Sequence, residues 1–237
     1  MITSVLDTLA LGDARYERKF LTSDLSFEEV VSLLWLHRAC FRELYPARWV
    51  NSIYLDSPAL SCYYVHVNGV SNRYKVRVRW YGDLEGEIRE PRLEFKLRRG
   101  LLGGKIIKKF PRFVLEPHAP GQSLMGALPF SEEVEEGYRD HLKMFSPALL
   151  NRYRRHYYQS QDGKFRITLD MGLEFYDPAR PCLEWFNLNR TRSTPIILEL
   201  KYPLKYAEAA QAITNGLPFR LTRCSKYVLG IERRYGN

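Results

Sequence analysis

Polar and apolar positions alternate with a period of two through RYKVRVRWYG, placing Arg73, Lys75, Arg77 and Arg79 on one face and Tyr74, Val76, Val78 and Trp80 on the other. That period predicts a β-strand with one cationic and one apolar face. Like charges in register repel one another, so the spacing makes physical sense where a dense anion, phosphate above all, lies against the face. Other β-like runs are RYERKFL (15–21), WVNSIYLD (49–56), CYYVHV (62–67), RLEFKL (92–97), GKIIKKF (104–110), NRYRRHYYQ (151–159), FRITLD (165–170), PIILELKY (195–202) and SKYVLGIE (225–232). Turn pairs at Asn68-Gly69, Gly82-Asp83, Gly103-Gly104 and Asp162-Gly163 predict antiparallel hairpins and argue against parallel βαβ units.

Three stretches carry helical spacing instead. Ser26 with Glu29 forms a capping-box pattern ahead of Val30, Leu33, Leu34, His37, Cys40, Phe41 and Leu44; Ser131 to Phe145 and Lys205 to Asn215 are the others. Glu116 to Pro129, rich in Pro and Gly, reads as an exposed loop. With no internal repeat or long linker, residues 1–237 read as one domain, mainly β with packing helices (α+β).

The charged alternation recurs. Arg15, Glu17 and Lys19 share a face, as do Glu94 and Lys96, then Arg166, Thr168 and Asp170, then Glu199 and Lys201. Charged alternation ordinarily marks the solvent side of an antiparallel sheet. Repeated over five strands, it also fits a barrel whose charged faces turn inward around a basic lumen, which then requires a polyanion and water to offset the buried cations.

The chain has 36 Lys and Arg against 27 Asp and Glu, a formal charge of +9 that favours polyanionic partners. Cys40, Cys62, Cys182 and Cys224 have neither CxxC nor zinc-finger spacing and read as reduced, packed thiols, consistent with the cytoplasm. No stretch reads as a secretory signal or reaches membrane-spanning length. A Walker A loop, a nucleophile elbow and a recognised single-strand nucleic-acid motif are all missing from the sequence, so no specific nucleic-acid partner is expected. His37 and His66 sit among apolar residues and read as structural. Tyr63, Tyr64, Tyr157, Tyr158 and Trp80 are able to stack an adenine but read mainly as packing.

In order, ERKF, NSIYLD, RYKVRVRWYG, LEFK, GKIIKKF, YRRHYYQ, FRITLD, ILELKY and SKY resemble the VTC domain over about Arg15 to Glu232. This is the polyphosphate polymerase branch of the CYTH-like, triphosphate tunnel metalloenzyme superfamily. The resemblance implies an antiparallel β-barrel tunnel and transfer of the ATP γ-phosphate to a polyphosphate chain. It implies catalytic roles for Arg77, Arg79 and Lys226, phosphate binding by Lys19, Lys96, Lys105, Lys108, Arg155 and Arg166, and a divalent metal, Mn²⁺ or Mg²⁺, on Glu199. Glu17 or Glu94 would help hold the metal through water.

Two departures qualify this. Arg15 stands where the ExExK pattern of related tunnel phosphatases has a carboxylate, which leans away from a two-metal hydrolase. Lys105 and Lys108 differ in parity, so both face inward only if a bulge intervenes. The chemistry suits the residues: phosphoryl transfer needs positioned cations more than covalent work by the protein. Alternatives are a tunnel hydrolase of tripolyphosphate or a nucleoside triphosphate, and a non-catalytic polyphosphate-binding module. Coupling of synthesis to translocation would require a membrane-protein partner.

Overall fold

The computed structural model describes residues 15–100, 102–116, 124–129, 136–179 and 195–235. Cys182 and the start of the helix expected at Ser131 lie outside them. The strands are β1 (Arg15–Thr22), β2 (Arg42–Asp56), β3 (Asn72–Tyr81), β4 (Gly86–Ile88), β5 (Arg92–Arg99), β6 (Leu102–Lys109), β7 (Phe113–Leu115), β8 (Ser146–Gln159), β9 (Arg166–Tyr176) and β10 (Ile196–Pro203). The helices are α1 (Phe27–Leu36), α2 (Ser61–Val67), α3 (Leu124–Ala127), α4 (Glu136–Leu142), α5 (Ala207–Asn215) and α6 (Lys226–Tyr235).

Eight strands form one curled antiparallel sheet in the order β1-β10-β9-β8-β2-β3-β5-β6, while β4 and β7 pair separately. The expected barrel is not closed along its length. Its edge strands β1 and β6 meet at one register pair, Arg15 opposite Gly103. An antiparallel ladder running further along β1 would need residues before Leu102, where β6 begins beside the β5–β6 turn. The segment before α6 lies on part of the free edge instead: the Thr222 amide donates to the Lys19 carbonyl at 2.8 Å.

Local chemistry explains most boundaries. Ser26 and Glu29 complete the capping box of α1, the Ser26 amide donating to Glu29 Oε2 at 2.7 Å. The helix stops at Leu36, well short of Leu44, because the chain turns at His37 and takes a positive φ at Cys40 before β2 starts at Arg42. Gly82 and Gly163 supply expected turns with φ of 92° and 74°. Gly103-Gly104 lies inside β6, the turn falling instead at Gly100, and Asn68-Gly69 ends a helix.

Two segments expected as strands are helices. CYYVHV forms α2, whose first amides, those of Cys62 and Tyr63, donate to the buried Asp56 carboxylate. SKYVLGIE is mostly α6. Both helices also pack on elements distant in sequence, α2 on α6 and β3, and α6 on β8.

The outer face of the sheet carries the conventional core. Val76, Val78, Leu93, Phe95 and Leu97 pack with Leu124, Leu128 and Leu142 from the region of α3 and α4. Phe20, Ile167, Leu169, Leu198 and Leu200 pack with α1 and α5 through Val30, Leu34, Ala210 and Ile213. The charged faces are thereby left to point inward.

Candidate functional site

Directly paired residues of neighbouring strands share a face, so the register assembles the inner wall. Ser52 opposes Arg79, Tyr54 opposes Arg77, and Arg77 opposes Glu94. Lys75 opposes Lys96, which opposes Lys105. On the other side Lys19 opposes Glu199, Glu199 opposes Thr168, and Arg155 opposes Asp170. Tyr153 and Arg155 share this wall by parity, and the extra residue that β9 carries opposite Arg152 to Arg154, at Gly172 with its φ of 60°, lets Asp170 and Phe175 face the same side despite their opposite parity.

Two ionic groups result. In one, Arg77 Nε donates to Glu94 Oε2 at 2.8 Å, Arg79 Nε to Ser52 Oγ at 3.1 Å and Arg79 Nη2 to Tyr153 Oη at 3.0 Å. In the other, Arg155 grips both oxygens of Asp170, which also meets Lys226. Glu199 receives Lys19 and Lys201, both at 2.9 Å, with Arg155 at 3.4 Å and Lys226 at 3.6 Å. Lys96 reaches Glu17 at 3.2 Å.

The inward face changes character toward one end. Tyr54, Leu149, Phe175 and Ile197 form an apolar cluster with Tyr227 and Ile231 of α6. Gly230 permits the close approach: a methyl group there would lie 2.3 Å from Leu149 Cδ2 and 2.6 Å from Phe175 Cδ1. The helix stoppers this end of the lumen and delivers Lys226 from its first turn to Asp170 and Glu199.

The electrostatics follow the crowding. Burial would raise the Glu199 carboxyl, but Lys19, Lys201, Lys226 and Arg155 hold it well below the ordinary range. Asp170 is lowered too, burial being outweighed by Arg155 and Lys226. For Glu94 burial is overcome by Arg77 and Arg79, which bring it to about 2. The unpaired excess is cationic. Burial, then Lys96, Lys19, Arg77 and Arg73 push Lys75 well below the usual lysine range, and Lys96, raised by Glu17 but lowered by burial and Lys19, falls to about 8. Buried ion pairs of this kind add little net stability, and the surplus cations subtract from it.

Arg77, Arg79, Lys96, Lys19, Arg155, Glu199 and Lys226 thus converge on one lumen, and Lys105 joins them through its pairing with Lys96. Arg166 shares the inner face, opposite Lys201, but is exposed toward the lumen's rim. Lys108 does not belong: it pairs with Leu93 on the outer face and its ammonium lies 5.0 Å from the ring centre of Tyr138. No bulge in β6 rescues its parity.

Lys75, Asp170 and Lys201, which period-two alternation puts on charged faces but to which the resemblance gives no role, are lumen residues, as are Ser52 and Tyr153, which the sequence did not single out. Parity was the available signal for Asp170, two positions beyond Thr168 on the strand of Arg166. His37 and His66 are structural as expected, His37 Nδ1 accepting from the Ala39 amide and His66 Nδ1 meeting the Cys62 carbonyl.

No group of three or more His, Cys, Asp or Glu side chains converges as a ready metal centre among the described residues. A hard divalent cation nevertheless suits the carboxylates. Glu17 Oε1 is buried with no hydrogen bond, the Lys19 ammonium lying 3.5 Å away, and the charge of Glu199 acts on it from the neighbouring strand.

The chain matches the VTC domain family model over residues 14–235. None of the curated proteins compared with it matches. Among solved structures it is similar to a Pyrococcus horikoshii protein at 16% identity, covering 93% of this chain and 99% of that one with a TM-score of 0.49. A candidate adenylate cyclase from Bacillus halodurans is 14% identical, covering 94% and 97% with a TM-score of 0.49. A candidate adenylyl cyclase from Hippeastrum, described as having a dominant triphosphatase activity, is 16% identical, covering 94% and 95% with a TM-score of 0.47.

Proposed function

Because the chain belongs to the VTC domain family, we propose that it is a phosphotransferase that passes the γ-phosphate of ATP to the end of a polyphosphate chain held in the lumen. The observation that carries this reading is the convergence of Lys19, Lys75, Arg77, Arg79, Lys96, Arg155 and Lys226 around a stoppered chamber whose carboxylates are fewer than its cations and each already engaged in an ion pair. Such a cation surplus is matched by a triphosphate and a phosphate chain, each dense in negative charge.

In this reaction a terminal oxygen of the acceptor attacks the γ-phosphorus while the bond to the β-phosphate oxygen breaks, and ADP leaves with the electron pair. Arg77 and Arg79 offer planar forks to the non-bridging oxygens, and Lys19, Lys96 and Lys226 act as point charges beside them. Lys105 and Arg166 extend the cationic track outward. A bound Mg²⁺ or Mn²⁺ would neutralise phosphate charge and polarise the transferred group. Glu199 and Glu17 would hold it, Lys19 turning from the carboxylate to phosphate.

Incubation of the purified protein with ATP, Mn²⁺ and a short polyphosphate primer tests the reading by product analysis. ADP with a lengthened chain is expected. Glu199→Gln should remove metal-dependent turnover while weakening triphosphate binding less, read by titrating activity against Mn²⁺. Unchanged metal dependence would move the metal to Glu17 or Glu94.

Hydrolysis of a terminal phosphate is the second reading, favoured by one specific feature. Glu17, Glu94, Asp170 and Glu199 give the lumen four carboxylates, enough to place a metal and orient a water, at a chamber that α6 stoppers at one end. Orthophosphate with no chain growth would select it. No helix among the described residues is long and apolar enough to cross a membrane.

A further inference from the structure

Buried polar atoms ordinarily find a hydrogen-bond partner, because leaving one unpaired costs most of its desolvation free energy. Glu17 Oε1, Thr168 Oγ1 and both polar atoms of Asn151, Nδ2 and Oδ1, are buried without one, and all three residues lie on the inner wall. Asn151 is the outlier, being 1% exposed with its entire carboxamide unsatisfied.

Its position is specific. Asn151 opposes Ser52, whose hydroxyl accepts from Arg79, so the amide stands beside the Arg79 guanidinium. On its other side it opposes Phe175, one of the rings against which Gly230 of α6 packs, and Leu149 two residues along is the other contact of that glycine. Asn151 therefore forms the floor of the cationic chamber, where the charged wall gives way to the apolar stopper.

A neutral side chain offering an acceptor beside its N–H donors is poorly suited to an internal phosphate of a chain, whose oxygens are fully ionised and only accept. A terminal phosphoryl group differs. Its last proton leaves at a pKa of about 6, so near neutrality it presents ionised oxygens and, part of the time, a P–OH. We propose that Asn151 reads the terminus of a linear phosphate chain: the chain enters end-first, its terminal oxygen accepts from Asn151 Nδ2 beside Arg79, and its hydroxyl donates to Asn151 Oδ1. This rests on the reading of the lumen as a phosphate site and adds that the site selects chain ends over chain interiors.

The test compares linear tripolyphosphate with cyclic hexametaphosphate, a ring with more charge and no end, by calorimetric titration of wild type, Asn151→Leu and Asn151→Ala. Wild type is expected to bind the linear chain about tenfold or more tighter than the ring, the value of a charge-assisted hydrogen bond. Asn151→Leu should lose most of that preference, the linear affinity falling and the ring affinity holding; Asn151→Ala carries the same comparison if the leucine variant fails to fold. Equal affinity for ring and chain in wild type, or an unchanged preference in the variants, would overturn end recognition while leaving the phosphate site standing. Failure of wild type to bind tripolyphosphate at all would overturn both.

Discussion

The two ends of the lumen are built from the same strands, yet they obey opposite rules. On β1 and β10 the inner face passes from Lys19 and Glu199 to Leu21 and Ile197 in a single step of two residues. Past that step the wall is an ordinary core: Leu149, Phe175 and Ile197 are fully buried under α6, each contributing about 1.5–3 kcal/mol by removal from water. Before it, cations crowd a carboxylate set too small to neutralise them. The apolar end is neutral and closely packed, whereas the charged end carries more cations than carboxylates, and the stability of one supports the electrostatic strain of the other.

The largest effect that would sharpen this contrast is on turnover. Arg77→Ala should cost about a hundredfold to a thousandfold, as removal of a preorganised charge donor does. It also strands buried Glu94, so adding Glu94→Gln should restore the melting temperature without restoring turnover. Normal turnover in the single variant would make Arg77 structural and dissolve the distinction.

At the opposite end Gly230→Ala should destabilise by about 1–3 kcal/mol through overpacking against Leu149 and Phe175, seen as a lower melting temperature. A variant as stable as wild type would mean that the helix sits loosely and the lumen is not stoppered. Lys75→Met works in the reverse sense. Relieving a cation crowded by Lys96, Lys19 and Arg77 should stabilise the free protein by about 0.5–2 kcal/mol, while the stabilisation conferred by tripolyphosphate shrinks. A loss of stability instead would show that the chamber is not strained.

Smaller effects distinguish the faces and the ionisation. Lys105→Ala should weaken tripolyphosphate binding and Lys108→Ala should not, by direct titration. Glu94 is held at about 2 in the folded state against an ordinary 4.5. Its contribution is therefore fully present above pH 4.5 and is lost as pH falls from 4.5 toward 2. Denaturation followed across that window should show a shallower loss in Glu94→Gln.

Most strands were legible because period two is a local property: RYKVRVRWYG and PIILELKY lie within β3 and β10 almost residue for residue. Parity also separated Lys105 from Lys108. The two misread helices fail locally for a physical reason. CYYVHV is rich in β-formers, and its capping carboxylate, Asp56, comes from the end of the preceding strand. In α6 the helical signal was present as Tyr227, Gly230 and Ile231, the stripe that faces the lumen, but the run is short enough to pass for a strand. Asn151 had no sequence signal at all, since an unpaired amide is visible only once its neighbours are in place.

The free edge of β1 has a consequence for how the protein is made. Lys19 and Glu199, hydrogen-bonded partners across β1 and β10, are 180 residues apart in the chain, and the segment that lies on the other edge of β1, at Leu221 and Thr222, is synthesised later still. During translation β1 must therefore wait unpaired while β2, β3, β5, β6 and β8 have neighbours close at hand. An idle edge strand with an apolar face is a site for wrong pairing and aggregation, and natural sequences guard such strands with charge. The glutamate, lysine and arginines of RYERKF provide that guard, so Glu17 and Lys19, which end in the lumen, and Arg18, which ends against α5, all help to keep the nascent strand solitary until its partners arrive.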